Sequence, residues 1–205
     1  MADPADVLAI LEAQLPLEQA PWEGSKKDSK VPQAGVLVAL TSGAQPRVLL
    51  GRRAMHLKLH PGEIAFAGGK REVEDASPWA TAMREAFEEV GIEERWVTPL
   101  GELPPLFTRT GFEVHPCIAS VPAQLDLVVD SGEFDSVFFT DLATFADPDV
   151  FELKEFTRGD TTMYVPHYQV EQDAVWGVTA AILAQLANVA YDAGFDLQRN
   201  WKVEP

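Results

Sequence analysis

Three carboxylates, Glu85, Glu88 and Glu89, stand within five residues, directly after Arg84 and before Gly91-Ile92. On a helix that turns about 100° per residue they share an arc of roughly 100°. Like charges this close destabilise a helix by about 0.2–0.5 kcal/mol per pair unless something neutralises them. Two readings compete. A solvated acidic face needs only water. A hard divalent cation, Mg²⁺ or Mn²⁺, takes all-oxygen ligands of this kind and would lower the pKa of a bound water while neutralising a phosphate-rich substrate. Arg84, four residues before Glu88, is placed to brace a carboxylate or to touch phosphate.

The elements that must hold these groups can be read from the same chain. Ser77 is an N-cap, Pro78 a first helical residue and Gly91 a stop, which predicts a helix from Ser77 to Val90. Its apolar residues Ala80, Met83, Phe87 and Val90 recur at helical spacing and are expected to face a core. Ala5 to Leu15 reads as a short amphipathic helix with Asp3 as cap and Pro4 at its first position. Trp22 to Pro32 is a polar, lysine-rich connector. Strands are expected at Gln33 to Leu40, Arg47 to Arg52, Glu63 to Phe66, Val97 to Leu103, Glu113 to Val121, Phe134 to Thr140 and Thr162 to Val170. The first two flank the turn signal Ser42-Gly43-Ala44-Gln45-Pro46. A last helix is expected from Asp173 to Ala190, with Val175, Val178, Ile182, Leu186 and Val189 on one face. Strands interleaved with long helices make an α+β fold. One domain is expected over residues 1–205: an N-terminal helix and connector (1–30), a core (31–190) and a tail (191–205).

Charge narrows the class of partner. The 205 residues carry a formal net charge of −16, which argues against a broad nucleic-acid-binding face. Yet Arg47, Arg52, Arg53, Lys58, Lys70 and Arg71 crowd one stretch that holds only Glu63 against them. That surplus either solubilises a loop or draws an anionic small molecule to the carboxylate helix. Cys117, the one cysteine, excludes an internal disulfide and reads as a packed thiol in an apolar strand. No basic leader opens the chain, and the aliphatic run Val178 to Ala190 is too short for a bilayer. The expectation is a soluble cytoplasmic protein without membrane or nucleic-acid partners. Its oligomeric state is left open, a homodimer included.

Arg84 to Ile92 resembles the second half of the Nudix box, G-x5-E-x7-R-E-U-x-E-E-x-G-U, where U is a bulky aliphatic residue. The first half departs from it: Gly69 sits one residue early, and the early acidic position falls on Glu74 or Asp75, as one inserted residue before the helix would cause. Leu49 to Gly69 is similar to the extended signature of the coenzyme A diphosphatase branch of Nudix hydrolases, approximately L-L-T-x-R-[SA]-x-x-L-R-x-H-x-G-x-[IV]-x-F-P-G-G. Here Gly51 replaces Thr and Ala67 replaces Pro. Leu103-Pro104-Pro105-Leu106, Thr110 to Pro116, Arg158-Gly159-Asp160 and Val175 to Ala180 resemble further segments of that branch.

The resemblance implies an α/β/α sandwich with a mixed sheet, and a catalytic helix using Mg²⁺ or Mn²⁺. It implies metal ligation by Glu85, Glu88, Glu89 and Gly69, catalytic roles for Glu85, Glu88 and Arg84, and substrate contacts from Arg52, Arg53, His60 and Lys70. The implied reaction splits coenzyme A or its derivatives at the diphosphate, giving 4′-phosphopantetheine and adenosine 3′,5′-bisphosphate. Alternatives are a Nudix hydrolase of ADP-ribose or NADH, and a catalytically silent Nudix-fold binding module. Glu133, Glu152, Glu155 and Asp160 stand open as further candidates for a general base. His56 and His60, four apart, do not read as a zinc pair, because Pro61 restricts the backbone of His60 and no cysteine is near.

Overall fold

The computed structural model describes residues 7–23, 31–108, 111–158 and 161–197. Strand β1 (Gln33–Thr41) is buried along nearly its whole length on both faces, which places it at the centre of a sheet. One edge pairs in parallel with β7 (Glu113–Val121), from Gln33 opposite Glu113 to Thr41 opposite Val121. The other edge is shared. Its first half pairs antiparallel with β4 (Ala67–Lys70), Gly35 opposite Gly69, and its second half meets β2 (Arg47–Arg53) at Leu40 opposite Val48. β2 also pairs with β3 (Ile64–Ala65) and with β8 (Phe134–Asp141). β5 (Thr98–Glu102) and β6 (Leu106–Phe107) lie against the far edge of β7. A smaller antiparallel sheet follows, β9 (Phe151–Arg158), β10 (Thr161–Val170) and β11 (Asp173–Trp176).

Alternation along β1 sorts the core into two layers. Leu37 and Ala39, with Leu49, Cys117 and Ala119, receive Trp79, Ala82, Ala86 and Val90 of helix α2 (Pro78–Val90). Val38 and Leu40, with Val48, Leu50 and Ile118, receive Leu11 of α1 (Val7–Gln14) and Ile182, Leu183 and Leu186 of α3 (Gly177–Tyr191). The result is the α/β/α sandwich with a mixed sheet that the resemblance implies. Cys117 is a packed thiol, kept protonated by its burial and by Glu102.

Three expectations change. The buried stripe of α2 is Trp79, Ala82, Ala86 and Val90, not the stripe containing Ala80, Met83 and Phe87; the small Ala82 and Ala86 let the helix lie close to the sheet, and Phe87 is left 59% exposed. The last helix starts at Gly177, because the backbone of Asp173 to Trp176 is taken by β10, Val170 opposite Asp173 to His167 opposite Trp176. β9 was not expected at all; as an edge strand reading FELKEFTR it carries four charged residues in eight and shows no apolar run. The proposed caps Asp3 and Pro4, most of the lysine-rich connector, Thr110, Gly159 and Asp160 lie outside the described residues.

Candidate active site

Two caps fix α2. Ser77 Oγ accepts the Ala80 N–H at 3.1 Å, with Pro78 at the first helical position. At the far end Gly91 turns left-handed (φ 74°); its N–H donates to the Phe87 carbonyl at 3.0 Å and the Ile92 N–H to the Ala86 carbonyl at 3.1 Å. With both ends fixed, the three carboxylates meet three environments. Glu88 is exposed, Glu85 is mostly covered, and Glu89 is buried.

Glu89 turns back to the sheet, where its Oε2 accepts the Gly68 N–H at 2.9 Å. Burial nevertheless pushes its carboxyl up to about 8; the Gly68 hydrogen bond and Arg53 oppose this, and the charges of Glu85 and Glu133 add to it. Glu85 is raised as well, by burial first and then by Glu88 and Asp75, against the pull of Arg84. Its carboxylate lies against Gly69, where a side-chain carbon would collide with it. A side chain at this position would push the Glu85 carboxylate from its place.

Arg84 is the hub. Its Nε and Nη2 donate to the two oxygens of Asp75 at 3.2 and 3.0 Å, its Nη1 to Glu85 at 3.0 Å and Glu88 at 3.4 Å, and Nη2 also to the Lys70 carbonyl at 3.1 Å. Asp75, in turn, is buried and accepts from the Glu72 N–H and the Thr81 hydroxyl, at 2.8 and 2.9 Å. Burial alone would raise its pKa; the hydrogen bonds from Arg84, Glu72 and Thr81 win, and it is lowered. Arg84 is raised chiefly by Asp75. Asp75 therefore fills the early acidic position that the sequence left between Glu74 and Asp75. It lies six residues after Gly69, in the box's own spacing, so the extra residue falls between Asp75 and Arg84.

The cations divide. Arg52 and Arg53 are neighbours on a strand, so their side chains leave opposite faces. Arg53 reaches Glu133 at 3.4 Å on the α2 side, while Arg52 reaches Asp173 of β11 at 2.6 Å. Lys70 is exposed, with its ammonium 5.2 Å from the Phe112 ring centroid. His60 is exposed on the 54–63 loop in a left-handed backbone conformation (φ 56°), its Nδ1 3.0 Å from Glu63. The fold thus gathers Glu85, Glu88, Glu89, Arg84, Gly69 and Arg53, leaves Lys70 exposed beside Phe112, and turns Arg52 away.

Glu133 joins the gathered set. Asp130 donates its N–H to the Glu89 carbonyl at 2.8 Å, and Glu133 donates its own to Asp130, so this turn hangs from the end of α2. Sequence reasoning had it as one of four candidates without a way to choose; Glu152 and Glu155 stand exposed on β9. Asp173 had no signal at all, because its partner is 121 positions away in sequence, at Arg52.

Among the described residues no three carboxylate, imidazole or thiol side chains form a ready-made cage, since Arg84 sits between Glu85 and Glu88 and Glu89 is turned to Gly68. The donors still fit a hard cation. A buried acid raised to about 8 is a group that a proton or a cation must neutralise, and every oxygen offered is a carboxylate or a carbonyl.

A NUDIX domain model matches residues 31–163, a span that contains this whole cluster. The chain belongs to the Nudix hydrolase family. It is 38% identical over 157 residues to a protein of Escherichia coli strain K12 described as an uncharacterized Nudix hydrolase NudL, covering 76% of this chain and 81% of that one. A NudL of Shigella boydii serotype 4 is 39% identical over the same coverage. A solved MutT/nudix family protein from Enterococcus faecalis superposes with a TM-score of 0.51 at 16% identity, over 80% of this chain and 62% of that one, which is a likeness of fold. As a Nudix hydrolase, the chain acts on phosphorus-containing anhydrides; Nudix hydrolases bind small diphosphate molecules and generally use divalent metals. No helix among the described residues is long and apolar enough to cross a membrane.

Proposed function

We propose that this Nudix hydrolase cleaves the diphosphate of coenzyme A and its derivatives, giving 4′-phosphopantetheine and adenosine 3′,5′-bisphosphate. The observation that carries the chemistry is Glu89, buried against the Gly68 amide at the centre of a carboxylate cluster. The substrate rests on the extended signature from Leu49 to Gly69. Glu85, Glu88, Glu89 and the Gly69 carbonyl would hold Mg²⁺ or Mn²⁺. Such ions supply an acidified water and neutralise the diphosphate.

The chain's own groups do the rest. Arg84, already splayed over Asp75, Glu85 and Glu88, orients the helix carboxylates and is within reach of a phosphate oxygen displacing one of them. Glu133, paired with Arg53 and hung from the end of α2, accepts the proton of the attacking water in preference to Glu152 or Glu155. Exposed Lys70 is the cation that reads the 3′-phosphate, since Arg53 is engaged by Glu133 and Arg52 by Asp173. His60 and its loop brace the entrance. The whole chain acts as one domain in the cytoplasm.

Assays of coenzyme A, ADP-ribose and NADH at matched Mn²⁺ concentration test the reading. Coenzyme A is expected to be turned over with the highest kcat/KM, and a clear preference for ADP-ribose overturns the substrate assignment. In H₂¹⁸O the label is expected in 4′-phosphopantetheine or in the 5′-phosphate of adenosine 3′,5′-bisphosphate. Labelled inorganic phosphate would show attack on the 3′-phosphate monoester instead, and free pantetheine cleavage of the ester that joins pantetheine to the diphosphate.

A further inference from the structure

Trp22 is buried, with 7% of its surface exposed, yet it belongs to neither apolar cluster of the sandwich. Its neighbours are polar. The Arg71 guanidinium lies 5.1 Å from its ring centroid, and the His115 ring meets it edge-on at 4.8 Å. Its backbone N–H donates to the Ala76 carbonyl at 3.0 Å, and its buried Nε1 has no hydrogen-bond partner. Stability alone does not call for an indole here, because an unpaired buried N–H is a cost that phenylalanine would avoid.

What Trp22 touches is more telling. Arg71 and Ala76 are the two ends of the short loop that carries Asp75. At one end Arg71 is pinned to Gln33, its backbone N–H on the Gln33 carbonyl at 2.9 Å and its Nη1 on Gln33 Oε1 at 2.8 Å. At the other, Ala76 accepts the Trp22 N–H directly before the Ser77 cap. One residue therefore grips both ends of the loop whose acid aims Arg84. The segment bearing Trp22 is itself tied to α2, since Glu102 Oε1 accepts both the Gln19 N–H at 2.9 Å and Trp79 Nε1 at 2.6 Å. Trp22 lies outside residues 31–163, the span that matches the family model.

We infer that Trp22 is a positioning residue for Arg84, acting through the 71–76 loop and Asp75. The inference rests on the reading of α2 as the reacting helix, and its test has one arm that needs no turnover. Amide hydrogen exchange of Trp22→Ala should quicken about tenfold at residues 71–77 and stay unchanged in α3. In steady state with Mn²⁺, kcat on a diphosphate substrate should fall about tenfold with KM within about twofold. Trp22→Phe, which keeps a ring under Arg71, should restore both. Trp22→Leu, which fills the space without a π-face, should fall between and serves if the alanine variant does not fold. In an Asp75→Asn background Trp22→Ala should add less than about twofold, because both act on one loop. Unchanged exchange at 71–77, quickening spread equally over α3, or fully additive losses would each overturn the inference. A wild-type chain inert towards every diphosphate would instead count against the proposed reaction, leaving the exchange result to stand by itself.

Discussion

Helices α2 and α3 cover opposite faces of one sheet, and they bury different things. From Thr179 to Ala184, and again at Leu186 and Ala187, α3 is buried almost all round and carries no charged side chain. α2 buries a narrow stripe of Trp79, Ala82, Ala86 and Val90, and beside it the carboxyl of Glu89. Burying apolar surface returns free energy without further conditions, about 1.5–3 kcal/mol for a leucine side chain. Burying an acid costs free energy until a proton or a cation neutralises it. One helix is therefore an anchor. The other keeps a standing demand for positive charge.

That contrast can be broken from either side. The largest effect is expected on the α2 side, where Glu89→Gln or Glu85→Gln should lower kcat/KM by about a hundredfold or more, beyond the 10–100-fold typical of a group one shell further out. Both variants should melt, without metal, at or above the wild-type temperature, and a melting temperature well below wild type would contradict the account of Glu89. On the α3 side the pattern should invert. Leu183→Ala should cost about 2–5 kcal/mol of stability, read by urea denaturation, while kcat of the folded fraction stays within about twofold.

A smaller effect concerns selectivity. Lys70→Ala should lower kcat/KM for coenzyme A about tenfold more than for dephospho-coenzyme A, as loss of a charge-assisted hydrogen bond to the 3′-phosphate requires. Arg52→Ala should not discriminate between them, because Asp173 already engages that side chain on the other face of β2. Equal losses on both substrates in Lys70→Ala would assign that lysine to the shared diphosphate.

The last effect is on stability against pH. Glu89 stands at about 8 in the folded chain against an ordinary 4.5. Between those values the folded chain still holds a proton that the unfolded chain has released, so the contribution is intact below about pH 4.5 and is lost as pH rises to 8. Thermal melts with EDTA from pH 5 to 8.5 should show a fall in melting temperature, which Glu89→Gln should flatten and Mn²⁺ should offset. A fall of the same size in Glu89→Gln would place its origin elsewhere.

The sequence carried the α2 register and both its caps, because Ser77, Pro78 and Gly91 act locally and the helix needs no distant partner to declare itself. It carried the strands β1, β2 and β7 for the same reason, as long apolar runs between turn signals. The inward face of α2 was misread through Phe87, since hydrophobic spacing counts a large ring as core whereas the sheet admits a helix more closely through Ala82 and Ala86. β9 was illegible because an edge strand need not be apolar. Asp75 was half legible, its place blurred by one extra residue. Arg52 and Arg53 looked like a pair in sequence and are not one in space, for alternation separates them; only the positions of Glu133 and Asp173, distant in sequence, show which way each goes. Long-range pairing, rather than chemistry, was the missing information.

The 54–63 loop leaves and rejoins the sheet at a single residue: the Gly62 N–H donates to the Arg53 carbonyl and the Arg53 N–H to the Glu63 carbonyl, each at 2.9 Å. Whatever happens farther out, at Leu57, Lys58 or Leu59, is closed off by that clasp and does not propagate into the register of β2. Doubling such an excursion costs only about 0.6 kcal/mol in closure entropy. Residues can accordingly be inserted, deleted or exchanged at its tip while Arg53 and Glu133 keep their places, so the excursion can change length without shifting the strand that carries Arg53.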